Sequence, residues 1–200
     1  MKIIDIRAIQ IFDSNGFPAV SLEVWLDNKE TISTFMPQAL LDCEVDEAIN
    51  FVNEELKHIL LDEAESPIEA DCILISLDGT EQRTNLGKGL MLLVSMSMYK
   101  AFARIAGQDL FDYIATLGGY ESVSLPIPFI SLLGNDSLFE SYFVVPYGAK
   151  SIKNSLDLTS RLIDSVDVNM EKSDKERTIN EVGAFDNPNK THTQTLKFLD

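Results

Sequence analysis

Imidazole, thiol or soft-metal chemistry in this 200-residue chain would rest on two histidines and two cysteines. His58 falls beside the apolar stripe of a helix, where a solvated or core-flanking role is expected rather than metal ligation, and no second histidine occurs before His192. Cys43 and Cys72 have no acid–base neighbour in sequence. They read as buried apolar residues of a reducing compartment, not as a nucleophile, a disulfide framework or a close metal pair. Asp62-Glu63-Ala64-Glu65 reads as a solvated loop rather than a cation site. Leu86-Gly87-Lys88-Gly89 opens a helix whose N-terminus would attract an anion, but it lacks phosphate-loop spacing, and its glycines read better as helix-packing positions. On residue types and spacing alone, no catalytic, cofactor-binding or metal residue is assigned.

The elements that would position such groups are clearer. Ile3 to Phe12 is an isoleucine-rich strand that ends in Asp13-Ser14-Asn15-Gly16. Asn-Gly between apolar runs predicts a hairpin turn, because both residues tolerate positive φ. On the return strand Val20, Leu22, Val24 and Leu26 alternate with Ser21, Glu23, Trp25 and Asp27, so one face is covered. Asn28-Lys29 turns the chain again, Thr31 to Phe35 supplies a third strand, and Pro37 ends the meander. From Asp46 to Leu61 the period becomes helical, with Ile49, Val52, Leu56, Ile59 and Leu60 on one stripe. Ser66-Pro67 reads as punctuation, and Ile73 to Leu77 leads into Asp78-Gly79-Thr80. A long helix is expected over Leu86 to Ile105, with Gly107 placed for a left-handed cap and Ser95, Ser97 and Ala101 small enough for close packing. A short helix, Asp109 to Leu117, stops at Gly118-Gly119. The fold class is α+β: a three-stranded antiparallel meander followed by helices that cover one sheet face.

Composition shifts near residue 125. Leu125 to Leu133 is a nearly continuous apolar run, expected to be a strand buried on both faces. Tyr142 to Val145 reads as a second strand, Ser151 to Val168 as an amphipathic helix, and residues 169–195 as polar and loop-like. The expected division is 1–122 for the α+β domain and 123–200 for a second segment.

Five short strings occur in an order that resembles one family. Ile11 to Val20 (IFDSNGFPAV) resembles the enolase opening I-x-D-S-R-G-N-P-x-V. Leu77-Asp78-Gly79-Thr80-Glu81 with Leu86-Gly87 resembles L-D-G-T-E-N…L-G. Leu125-Pro126-Ile127-Pro128 resembles L-P-V-P, and Val145-Pro146-Tyr147-Gly148-Ala149 resembles M-P-V-G-A. Asn180-Glu181-Val182-Gly183-Ala184-Phe185 resembles G-D-E-G-G-F. The resemblance implies an enolase N-terminal domain over 1–122 and an incomplete fragment of an α/β barrel over 123–200, with two strands, one or two helices and a polar tail. It also implies the interconversion of 2-phosphoglycerate and phosphoenolpyruvate with magnesium in active family members, where metal must stabilise the enediolate.

Checked residue by residue, the resemblance departs from the family where the chemistry is. The mobile S-G-A-S-T-G loop should follow the proline of the third strand, yet Met36-Pro37 runs directly into Gln38-Ala39-Leu40-Leu41. The histidine of G-G-x-H-A falls within Gly134-Asn135-Asp136-Ser137. The acidic residue of Q-E falls at Ser141, with Glu140 one place early and facing the other way. The catalytic glutamate of G-D-E-G-G falls at Val182, with Glu181 one place early. The later metal ligands and lysine of the family have no counterpart in this sequence. No cofactor is therefore expected, and no magnesium.

Charge narrows the partners. With 16 basic and 32 acidic residues the net charge is −16, which disfavours nucleic acid and anionic lipid. Charges in the first five residues give no secretion signal. The apolar window Gly89 to Tyr99, broken by Ser95 and Ser97, falls short of the roughly 20 residues a membrane span needs. A cytoplasmic location is expected, and the glycosylation-sequon matches at Asn135 and Asn189 carry little weight. The sequence reads as an enolase-like protein without its own catalysis, an interaction or oligomerisation module. Its expected partners are a second copy or a full-length enolase, although Asn15 and Ser21 replace an arginine and a glutamate of the family's dimer contact. The alternatives are a phosphopyruvate hydratase active only with a complementary barrel half, and a remnant without function.

Overall fold

A computed structural model describes residues 1–134, 141–172, 178–179, 183–187, 189 and 191–199. The chain divides into two compact units, Met1–Val123 and Ser124–Asp200.

The first unit opens with strands β1 (Ile3–Phe12), β2 (Pro18–Leu26) and β3 (Thr31–Pro37), joined as an antiparallel meander in the order β1-β2-β3. Ile6 lies opposite Val24 and Ala8 opposite Leu22, while Leu22 and Val24 face Thr34 and Ile32 on the other side. Partners in register share a face, so Ile6, Ala8, Val20, Leu22, Val24 and Met36 form one buried surface. The hairpin forms where Asn-Gly predicts it, but by a different turn. Only Gly16 takes positive φ. The Asp13 carboxylate accepts the N–H groups of Asn15 (2.8 Å) and Phe17 (2.9 Å), which makes a longer loop than a two-residue turn.

Helices cover the apolar face. Helix α1 (Val45–Phe51) runs through a π-helical turn, Val52–Leu56, into α2 (Lys57–Glu63) against β1. Residues 66–78, read above as punctuation and an apolar run, are instead helix α3 (Pro67–Asp78). Pro67 stands at its first position, where no N–H is needed, and the Ser66 hydroxyl accepts the Glu69 N–H at 3.2 Å. Helix α4 (Lys88–Ile105) packs on β2 and β3 with Leu93, Val94, Ser97, Met98 and Ala101 buried. Gly107 takes the left-handed conformation after its end, as the sequence requires. Helix α5 (Leu110–Leu117) follows. Arg104 near the end of α4 holds Glu30 bidentately, at 2.6 Å for both bonds. The pair is exposed, so it orients the β2–β3 turn more than it stabilises it.

The second unit holds β4 (Ile130–Gly134), β5 (Ser141–Val144), α6 (Ile152–Lys172), β6 (Phe185–Asp186) and α7 (His192–Leu199). Its sheet order is β5-β4-β6, antiparallel to β5 and parallel to β6. The expected strand over Leu125–Leu133 shortens to Ile130–Gly134, and Leu125, Ile127 and Phe129 are exposed. Pro126 and Pro128 lack the N–H that a ladder needs at those positions. Residues 169–195 are not simply loop: α6 extends to Lys172, and β6 and part of α7 also fall in this range. Leu132, Leu133, Val166, Met170 and Phe185 make the unit's small core. No single helix among the described residues is long and apolar enough to cross a bilayer.

Candidate functional site

The region where the resemblance puts the mobile loop is built from three pieces: the chain after Pro37, the end of α3 and the start of α4. A short 3₁₀ turn, Gln38–Leu40, follows β3 directly, and Leu41 is fully buried in the core. The Leu41 carbonyl accepts the N–H of Leu90 in the first turn of α4 at 3.2 Å. Gly87 and Gly89 permit this contact, because a Cβ at Gly89 would lie 1.6 Å from the Leu40 carbonyl oxygen. Helix packing, not anion binding, is what these glycines serve.

Asp78 completes the clamp. Its side chain is buried at the end of α3, where Gly79 takes positive φ. One carboxylate oxygen accepts the N–H groups of Leu86 (2.8 Å) and Asn85 (3.0 Å); the other accepts the Thr80 N–H (3.1 Å) and hydroxyl. Asn85 Nδ2 returns a bond to the Asp78 carbonyl at 2.7 Å. Burial is the largest single influence on the carboxyl and pushes its pKa up, but the donors from Leu86, Thr80 and Asn85 together outweigh it and hold it below the ordinary value. An anion therefore already occupies the approach to α4, and it belongs to the chain.

The sign of this shift makes a prediction. A carboxylate whose folded pKa is lowered stabilises the fold above its unfolded pKa, and that stability disappears as pH falls through the folded value. Asp78→Asn should lower urea resistance at neutral pH and flatten the decline of stability below about pH 4. An acid-unfolding profile parallel to that of the parent would show that Asp78 carries none of this dependence.

The other candidates are scattered. His58 is exposed on α2, and Asp62, Glu63 and Glu65 are exposed near its end. Cys43 is half-buried, and burial together with Glu47, Asp42 and Glu44 pushes its thiol pKa up, the opposite of a nucleophile. Cys72, expected to be buried, is exposed. It lies two residues from buried Ala70 and Leu74, on the outward side of α3. Ser141 opens β5, and Asn189 bonds Asn187 Oδ1 through both its N–H and Nδ2 at 3.1 Å. Asn135, Asp136, Ser137, Glu140, Glu181, Val182 and the side chain of His192 lie outside the described residues. Among those described, no group of three or more histidine, cysteine, aspartate or glutamate side chains is placed to hold a metal ion.

Asn53 is a residue the sequence did not single out. In the π-helical turn it reaches β1, accepting the Ala8 N–H at 2.8 Å and donating to the Ala8 carbonyl at 2.9 Å. A polar residue between Val52 and the exposed Glu54 gives no sign of this, since the extra residue in the turn is what swings it inward.

Residues 3–114 match the family described as "Enolase, N-terminal domain". The enolase of Ureaplasma parvum serovar 3 is 26% identical over all of this chain and 52% of its own length. That of Metamycoplasma arthritidis is 26% identical over 99% of this chain and 50% of its own, and that of Ehrlichia ruminantium 24% over 100% and 52%. The chain thus spans about half the length of the curated relatives it matches.

Proposed function

This chain belongs to the enolase family through its N-terminal domain, and from that premise we propose that it is a non-catalytic association module of the cytoplasm, pairing with a second copy or with a full-length enolase. The observation that carries this reading is the fixed turn after Pro37. A catalytic lid must open, close and exclude water, whereas here Gln38–Leu41 is a short turn bolted to α4 through Leu41 and Leu90. The serine that the family's loop supplies has no counterpart after Pro37. The described residues do not fit a magnesium site, so no step through the metal is assigned. Ser141 and Val182, at the positions of family acids, support the same reading from residue type alone.

Association is supported by the surface of the first unit. The Asp13 hairpin is well built, and Phe12, Phe17, Trp25 and Phe35 are exposed. Large apolar groups in water favour burial by a partner.

The test is a phosphoenolpyruvate-formation assay on the full chain with 2-phosphoglycerate and magnesium, run beside co-elution with a full-length enolase. No turnover above the blank is expected, together with either self-association or co-elution. Turnover by the chain alone overturns the catalytic half; a chain that neither self-associates nor co-elutes overturns the other. Turnover only after adding a separately expressed barrel half would instead favour the split-enzyme reading.

A further inference from the structure

We propose that the free edge of β3 is a strand-addition site whose occupant is β3 of a second copy, giving a continuous sheet across a two-fold axis. This rests on, and deepens, the association reading above. In the order β1-β2-β3 the outer strands are β1 and β3, and unpaired edges template further pairing unless blocked. The β1 edge is blocked at its middle. Ala8 spends its N–H and carbonyl on Asn53, and the Ile6 N–H is taken by the Asp5 carboxylate at 2.9 Å. The register is also irregular between Ile3 and Asp5.

The β3 edge is less protected, with only Pro37 at its very end lacking an outward N–H. Antiparallel strands direct the backbone groups of successive residues alternately to either side. Ala8 points away from β2, so its partner Leu22 points toward β3 and is bonded there to Thr34. It follows that Thr31, Ser33 and Phe35 aim their N–H and carbonyl groups outward. Among the described residues none of these groups has a hydrogen-bond partner outside the sheet. Thr31–Pro37 carries no charged residue, the opposite of the usual edge defence.

The strand is self-complementary. With Ser33 opposite its own copy, Phe35 of each chain lies opposite Thr31 of the other, and every outward backbone group in that stretch meets a partner. No like charges meet within the strand. Phe35 is 63% exposed and Trp25, which pairs with Thr31, is 39% exposed. Self-pairing sets Phe35 of one copy beside Thr31 of the other, a favourable aromatic and β-branched pair, with Trp25 one strand further on the same face. What opposes it is long-range repulsion between two chains of net charge −16, which salt screens. The association should therefore strengthen with salt, whereas capture of a basic partner would weaken.

The experiment is sedimentation of the full chain over a concentration series, from low salt to about 0.5 M NaCl, where repulsion is largely screened. Two variants are run beside it. Ser33→Pro removes an outward N–H that the sheet does not use, and Phe35→Lys adds an edge charge without touching the backbone. The parent should dimerise more tightly as salt rises, and each variant that keeps the parent circular dichroism should weaken the dimer at least about tenfold, or 1.4 kcal/mol. A dimer untouched by Phe35→Lys overturns the edge assignment while leaving association by another surface standing. A parent that stays monomeric throughout also overturns it, and co-elution with full-length enolase then decides the broader reading separately.

Discussion

Gly89→Ala is expected to cost about 3 kcal/mol or more in folding stability, although the same exchange at an ordinary helix position gains up to about 1 kcal/mol. The sign reverses because of what stands next to the glycine. A Cβ there would come within 1.6 Å of the Leu40 carbonyl oxygen and 2.6 Å of Leu41 Cα. Both are backbone atoms, so no side-chain rotation relieves the overlap. The 38–42 segment must move off α4, which strains the Leu90–Leu41 hydrogen bond and the seating of Leu41, or α4 must shift against the strands it covers. Urea unfolding of the parent and variant measures the difference directly. A variant as stable as the parent would mean that the turn and the helix do not meet as described.

This contact shows where reading the sequence reaches its limit. The alternation of Val20, Leu22, Val24 and Leu26 specifies a strand with one covered face, and the structure buries all four, with Ala19 and Ser21 of the other face buried as well. Local pattern sufficed because a one-residue slip would expose every one of those side chains. The departure from the family's loop after Pro37 is read by resemblance alone, and what residues 38–41 pack against is not legible there. Leu41 is one leucine among many, and its burial depends on a glycine in a helix far along the chain. Cys72 is a similar case: residue type suggests burial, while the phase of α3 decides exposure. Helix α3 has a local signal in Ser66, Pro67 and Glu69, a helix start that the short apolar run after it obscures. In the second unit the apolar run from Leu125 suggests a strand throughout, but its two prolines confine the strand to Ile130–Gly134. The geometry of the candidate region, the Asp78 clamp and the Asn53 brace on β1, is not legible locally because it arises from contacts between separate segments.

Leu41→Ala is expected to destabilise the chain by about 2–5 kcal/mol, the range for emptying a leucine site in a packed core. The size of the effect discriminates between two descriptions of residues 38–41. A mobile lid belongs to the least stable part of a protein, and truncating a side chain on it changes folding stability by no more than about 0.5 kcal/mol. A turn fixed by its own core residue gives the full cavity penalty. Leu41 is fully buried within the cluster that joins the sheet to α1 and α4, which favours the second description. Hydrogen exchange adds a local reading. The Leu90 amide is held by the Leu41 carbonyl, so it should exchange slowly in the parent and faster in the variant, ahead of amides in the middle of α4. Phosphoenolpyruvate formation should stay at the blank in both proteins, because loosening this turn supplies neither a hydroxyl nor an acid. A nearly neutral Leu41→Ala with a fast-exchanging Leu90 amide in the parent would free the segment to move. The case against catalysis would then rest on residue types alone, on the loop serine that has no counterpart after Pro37 and on Ser141 and Val182.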